Sequence, residues 1–427
     1  MPKKLLFVTY GGGHAHMVYP VVHALRKSSE YKNGEISIDV LALPAAKAIL
    51  KSNDVEYFGL DRYLDKAQDA DAIRWGTELA KEHHSPTIGI PLEDSVAYLG
   101  LNYKDLVTRL GEDGAATLFK EKSRHAFLPL TIMERVFDDI KPDFVITTNS
   151  PRSEAAAIAV ANKRGIRNLI MVDLPKGLSH YKLQGQHVTF LNEFAKDMYV
   201  ADGLFDESKS QCYYTGNPAF DNILSFPRDK DPDWVSTHFP NAGSKPVVLH
   251  IDMPAYWDSK HDRSYYKTDD DVKKELQATY DAAMANNAYY ITRPHPSQDR
   301  NLHIGWLKDK TNAELAADCD FLPLLRNVDL IIVRSGTVNI QAVYMQQKIV
   351  QLDADFHSDL PIANMGVAWG VNDYSELQKT IGEALADDHK IHEMAALAKK
   401  LFPFQPAAQT ITDIILENLK KTAAQSA

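Results

Sequence analysis

The run Leu5-Leu6-Phe7-Val8-Thr9-Tyr10, followed at once by Gly11-Gly12-Gly13-His14-Ala15-His16, constrains the fold more than any other stretch of the chain. A short segment that is apolar on both faces suits a strand buried inside a parallel sheet, because a half-solvated strand would alternate. Downstream, Val18, Val21, Val22 and Leu25 recur at three- and four-residue spacing, which predicts a helix from about Val18 to Lys27. Ile36 to Leu43 reads as a second strand. Strand, glycine loop, helix and strand make a βαβ opening.

The alternation continues. Pro44 to Phe137 reads as mainly helical, and strands are predicted at Pro142–Thr148, Arg167–Asp173 and Val188–Leu191, with helices at Ser153–Lys163 and Glu193–Asp202. A stretch rich in Pro, Asp and Gly, 226–244, then precedes a second series of strands, Lys245–Ile251, Ala288–Thr292, Asp329–Arg334 and Lys348–Leu352. The predicted class is α/β, with two doubly wound Rossmann-like domains facing a central cleft. Expected boundaries are 1–212 and 213–404, with a last helix at 405–420 packing back on the first domain.

Composition narrows the partners. The 427 residues carry 47 Lys plus Arg against 57 Asp plus Glu, a net charge of −10, which disfavours nucleic acid. Two cysteines, Cys212 and Cys319, exclude a disulfide scaffold and a Cys/His zinc cluster, and no metal is expected. No run of 18 apolar residues occurs and the first residues do not read as a secretory signal, so a cytoplasmic protein is expected.

Candidate site residues cluster where strands end, the place where ligands bind in open α/β sheets. Gly12 and Gly13 allow a ligand to approach the backbone, and the helix after them offers N–H groups to an anion. The loop matches neither the GxGxxG dinucleotide fingerprint nor a P-loop. His14 and His16 are candidate proton acceptors near neutral pH. Gly216 and Asn217, before Pro218, suit a turn with left-handed geometry. Arg293 offers a planar fork to a diphosphate, and His295, two residues on, can donate to the same oxygens. Ser335, Gly336 and Thr337 open a helix, a ready anion site. The aromatic segment 256–261 offers rings for stacking on a sugar or base.

These motifs resemble the GT-B nucleotide-sugar glycosyltransferases. The glycine loop with its histidine and Pro20 resembles the amino-terminal motif of the muramyl-lipid N-acetylglucosaminyltransferase and of the diacylglycerol galactosyltransferases. Thr215-Gly216-Asn217 resembles the turn that enters the donor domain of that transferase and of UDP-N-acetylglucosamine 2-epimerases. The resemblance implies a GT-B fold and transfer of a sugar from a nucleotide-diphosphate sugar such as a UDP-sugar to a hydroxyl acceptor, with inversion and with His14 or His16 as base. It places Gln341 at the nucleotide ribose, Asp355 and His357 near the sugar, and His250 near the donor diphosphate. The acceptor would be a glycan of the cell envelope, a lipid-linked molecule or a small molecule, with peripheral contact at the inner face of the membrane for a lipid-linked one. No cofactor beyond the nucleotide-sugar donor is implied. Three alternatives stand beside transfer. The first is a 2-epimerase, although the Gly-Thr-Arg-Pro-Glu and His-Arg-Arg-Glu-Asn segments of that family are absent. The second is a CDP-glycerol-type phosphotransferase, on the Arg293-Pro294-His295-Pro296 motif. The third is a non-catalytic sugar-nucleotide-binding subunit.

Overall fold

The computed structural model describes residues 1–84, 89–173, 181–253, 266, 268–295, 298–316, 318–353 and 360–425, with side chains as far as Lys420. It divides into two compact units, Met1–Asp221 with Gln405–Ala427, and Asn222–Phe404.

In the first unit the strands are β1 (Lys3–Thr9), β2 (Ile36–Ala42), β3 (Phe144–Thr148), β4 (Arg167–Met171), β5 (His187–Phe190) and β6 (Gln211–Tyr214). They pair in the order β2-β1-β3-β4-β5-β6, all parallel. Alternation along β1 divides its side chains between two cores. Leu5 and Phe7 pack with Val18 and Val22 of the helix Gly13–Lys27 and with Ile411 and Ile415 of the helix Ala407–Gln425. Leu6 and Val8 pack with Met133 and Phe137 of the helix Leu130–Ile140 and with Ala157 of the helix Ser153–Lys163. Both faces are covered, so β1 needs no polar face, as its sequence implies. The Asp221 carboxylate accepts the backbone N–H groups of Ala407 and Ala408, each at 2.8 Å, which fixes where the last helix begins.

Two details differ from the sequence reading. The first helix begins at Gly13, not near Val18, so His14 and His16 sit inside it and Pro20 lies well beyond its first turn. The polar first turn carries no apolar stripe, which is why periodicity misses it. The run through Tyr213 and Tyr214 belongs to β6, at the edge of the first sheet, rather than starting a new series.

The second unit holds β7 (Val247–Ile251), β8 (Tyr289–Arg293), β9 (Ala313–Leu315), β10 (Leu330–Val333), β11 (Ile349–Leu352) and β12 (Trp369–Val371), in the parallel order β12-β11-β10-β7-β8-β9. The short edge strands β9 and β12 carry too few residues for a readable pattern. The strand order reverses between β1 and β3 in the first sheet and between β7 and β10 in the second. Each such switch point opens a crevice beyond the strand ends. Among the described residues, no helix is long and apolar enough to cross a membrane.

Candidate functional site

At the switch point of the first sheet the chain leaves β1 through Gly11. A Cβ there would lie 2.6 Å from the Ala45 Cβ, and the backbone has φ +147°, so only glycine fits. Gly12, at φ +54°, then caps the helix that starts at Gly13.

His14, in the first turn, reaches the end of β3, where its Nδ1 lies 2.6 Å from the Thr148 hydroxyl oxygen. That hydroxyl donates to Glu154 Oε1 at 2.7 Å, and the same carboxylate oxygen accepts the Tyr10 N–H at 2.9 Å. A hydroxyl has one proton, and here the carboxylate takes it. The Thr148 oxygen therefore faces His14 as an acceptor, so Nδ1 is the protonated nitrogen and the neutral ring carries its lone pair on Nε2. Asp173 Oδ2 lies 3.7 Å from that Nε2. Two amides hold Asp173 by its backbone: its N–H donates to Asn149 Oδ1 at 3.2 Å, and its carbonyl accepts Asn217 Nδ2 at 3.0 Å. The Arg152 guanidinium covers the Tyr10 ring at 4.1 Å. His16 stands apart from this chain of bonds. It is exposed, its ring is edge-on to Tyr19 at 5.9 Å, and partial desolvation lowers its pKa.

Gly216 and Asn217 also belong to the first unit. Thr215 and Gly216 donate to the carbonyls of Phe190 and Leu191, continuing the β5–β6 pairing, and Asn217 caps the following turn at Ala219. The turn thus closes the first sheet and positions Asp173, rather than opening the second unit.

At the switch point of the second sheet a buried charge network joins β7, β10 and the helix Asp269–Ala285. Glu275, 1% exposed, accepts from Arg334 Nε at 2.8 Å, Tyr266 at 2.5 Å, Tyr374 at 2.9 Å and His250 Nε2 at 3.1 Å. Burial works to raise the pKa of this carboxyl, but the Arg334 charge and the His250 contact hold it down at about 2. Asp252, just past β7, accepts from His303 Nε2 at 2.8 Å and lies 2.6 Å from the Tyr266 hydroxyl, whose single proton is shared between Asp252 and Glu275. Arg334 also pairs with Asp353, whose backbone is left-handed at φ +49°. Ligand atoms of His250, Asp252 and Glu275 lie within 4.8 Å of one another, a spacing that suits a cation. The Arg334 guanidinium already supplies the positive charge that Glu275 faces.

Around this network lie the expected phosphate-side residues. Gly336 caps the helix Thr337–Tyr344, Thr337 is exposed at its start, and Gln341 is half-buried one turn along. The Ser335 hydroxyl oxygen accepts the Leu360 N–H at 3.0 Å. Arg293 ends β8. Its Nη1 donates to the carbonyls of Ala316 at 3.1 Å and Cys319 at 2.7 Å, and its plane lies 5.1 Å over Phe321. His295 is half-buried, and burial lowers its pKa. Asp355, His357, Pro296 and the segment 256–261 lie outside the described residues.

Sequence reasoning missed Thr148, Glu154 and Asp173 around His14, and Glu275, Tyr266 and His303 around His250. For Glu154 a signal exists: an acid in the first turn of an otherwise alanine-rich helix that directly follows a strand end.

No protein-family model matches this sequence, and no curated protein matches it. Solved structures do. The UDP-GlcNAc 2-epimerase of Neisseria meningitidis bound to UDP-GlcNAc superposes with a TM-score of 0.59 at 14% identity, covering 98% of this chain and 100% of that one. The Staphylococcus aureus MnaA–UDP structure gives 0.61 at 15% identity over 98% and 97% of the two chains. A glycosyltransferase of Rickettsia africae gives 0.58 at 11% identity over 98% and 99%. At such identities likeness speaks to architecture, and over nearly its whole length this chain has the GT-B fold, resembling the UDP-GlcNAc 2-epimerases and glycosyltransferases that share it.

Proposed function

We propose that the protein is an enzyme acting on a nucleotide-diphosphate sugar, with His14 as its general base. The observation that carries this is the hydrogen-bond chain from Glu154 through Thr148 to His14 Nδ1, from which the tautomer of His14 follows. Thr148 and Glu154 hold the proton on Nδ1 and leave Nε2 free to accept one, while the Asp173 carboxylate, 3.7 Å away, faces the charge that then forms. A ring locked in this way suits proton abstraction from a sugar carbon or from an acceptor hydroxyl. In the second unit, the open start of the helix Thr337–Tyr344 suits the nucleotide diphosphate, with Arg293 and His295 beside the neighbouring strand end.

The likenesses of fold favour a rearrangement of the sugar itself, as in the UDP-GlcNAc 2-epimerases, over transfer to an acceptor. Transfer is the second reading, favoured by the absence from this sequence of the Gly-Thr-Arg-Pro-Glu and His-Arg-Arg-Glu-Asn segments of the epimerases. The test is incubation of the purified protein with a panel of nucleotide sugars, followed by proton NMR of the sugar and by assay of released nucleotide. Interconversion of the sugar supports epimerisation, and acceptor-dependent nucleotide release supports transfer. Release of a nucleoside monophosphate from a CDP-alcohol would replace both with phosphotransfer. Binding without turnover would make the chain a binding subunit and defeat the role given to His14.

A further inference from the structure

A second polar site lies wholly within the second unit, at the amino-terminal ends of its strands. Arg326 stands just before β10, in the helix Phe321–Asn327, and Gln346 stands just before β11. Residues that precede parallel strands lie opposite the strand ends where Arg334 and Ser335 are found. A cavity of about 190 Å³ opens there, with Arg228, Arg326 and Gln346 in its walls beside Ile223, Phe226 and Met345.

The polar groups lining it are one-sided. Arg326 is only 8% exposed. Its Nη1 donates to the Met345 carbonyl at 3.0 Å, its buried Nε has no partner, and among the described residues no carboxylate pairs with it. The Nε2 of Gln346, a second buried donor, is likewise without a partner. Burial lowers the Arg326 pKa and the charge of Arg228, another guanidinium, adds to that, while the Asp229 carboxylate acts in the opposite direction without forming an ion pair with it. A buried charge is costly unless paired, and native proteins pair nearly all of them. Every unsatisfied group named here is a donor, two of the three residues are cationic, and the missing partner is therefore an oxyanion. A guanidinium fork matches phosphate geometry. The space exceeds the roughly 10–15 Å³ that one water needs many times over, and within its mainly polar lining Ile223, Phe226 and Met345 offer apolar contact to an organic substituent.

We propose that this cavity binds a phosphate monoester, whose oxygens engage Arg326, Arg228 and Gln346 Nε2 while its organic group lies against Ile223, Phe226 and Met345. The assignment does not depend on the reaction at His14.

Titration calorimetry of the full chain with phenyl phosphate and, separately, with inorganic phosphate tests it. The expected result is binding of phenyl phosphate, tighter than inorganic phosphate, that falls at least tenfold in Arg326→Met and several-fold in Arg228→Ala. Arg228 is exposed, so its variant remains informative if Arg326→Met fails to fold. No binding of either phosphate overturns the site. Unchanged affinity in Arg228→Ala places the anion elsewhere and also overturns it. Equal affinity for the two phosphates overturns the assignment of an organic monoester.

Discussion

His14 Nδ1 and the Thr148 hydroxyl oxygen lie 2.6 Å apart, and the hydroxyl proton is directed away from the histidine, to Glu154. Replacing Thr148 by Val removes both bonds at once and frees the ring to rotate and to change tautomer. Turnover of a nucleotide sugar should fall about 10²-fold, the scale of a misplaced catalytic group, with nucleotide affinity unchanged. Thr148→Ser keeps the hydroxyl and should restore most of the rate. His14→Ala should lose 10²–10⁴-fold, and His16→Ala little. Steady-state kinetics on the four variants decides this, and equal loss in the His14 and His16 variants would sink the assignment.

Glu275 makes an acid-sensitive element of the second unit. Its folded pKa, about 2, lies below its ordinary 4.5. The stabilisation it provides is thus complete above about pH 4.5 and is lost as pH falls towards 2. In Glu275→Gln the acid limb of stability should be shallower by about one proton between those limits. Arg334→Met leaves Glu275 buried without its cation and should cost about 3–5 kcal/mol at neutral pH, with part recovered in the double variant Arg334→Met/Glu275→Gln. Chemical denaturation across pH 2.5–7 measures both. Equal acid slopes in wild type and Glu275→Gln would show that the carboxylate does not couple to folding.

The glycines of the first loop are not equivalent. Gly11→Ala meets Ala45 at 2.6 Å on top of an unfavourable φ, whereas Gly12→Ala at φ +54° enters open space. Gly12 has φ +54° and ψ −130°, a combination that residues with a Cβ rarely adopt, so its variant should lose about 1–3 kcal/mol. Gly11→Ala should lose more and should also shift His14, lowering turnover. Thermal melts of the pair test the ranking, and a Gly11 variant as stable as the Gly12 variant contradicts it.

Much of the architecture is legible in the residues, because continuous apolar runs such as Leu5–Val8 and Leu330–Val333 leave few alternatives to buried parallel strands. Strand ends then mark where a ligand goes. The partners of each site residue are less legible. Glu154 and Asp173 meet His14 from 140 and 159 positions away, and no local pattern states which strand end faces which. Only the sheet order, with β1 beside β3, brings the first of them to the histidine. The edge position of β6 was hidden for a related reason. Its residues are half-exposed and lack the apolar run that marks an interior strand.

Arg293 shows how a motif read for one role acquires a second. Its Nη1 braces the carbonyls of Ala316 and Cys319, which ties the end of β8 to the chain after β9. A guanidinium has five N–H donors, so a brace of this kind leaves others for a phosphate. Arg293→Ala should therefore weaken binding of a nucleoside diphosphate by about 1.5–3 kcal/mol, the range for a charged hydrogen bond. Arg293→Lys should not restore it, because one ammonium cannot reach two carbonyls and a phosphate in the same geometry. Calorimetry with UDP measures the affinity, and a thermal melt of each variant separates that loss from the loss of the brace. If both variants melt early yet bind UDP like the wild type, Arg293 only braces the strand end, and the diphosphate depends on the helix start at Thr337 and on His295.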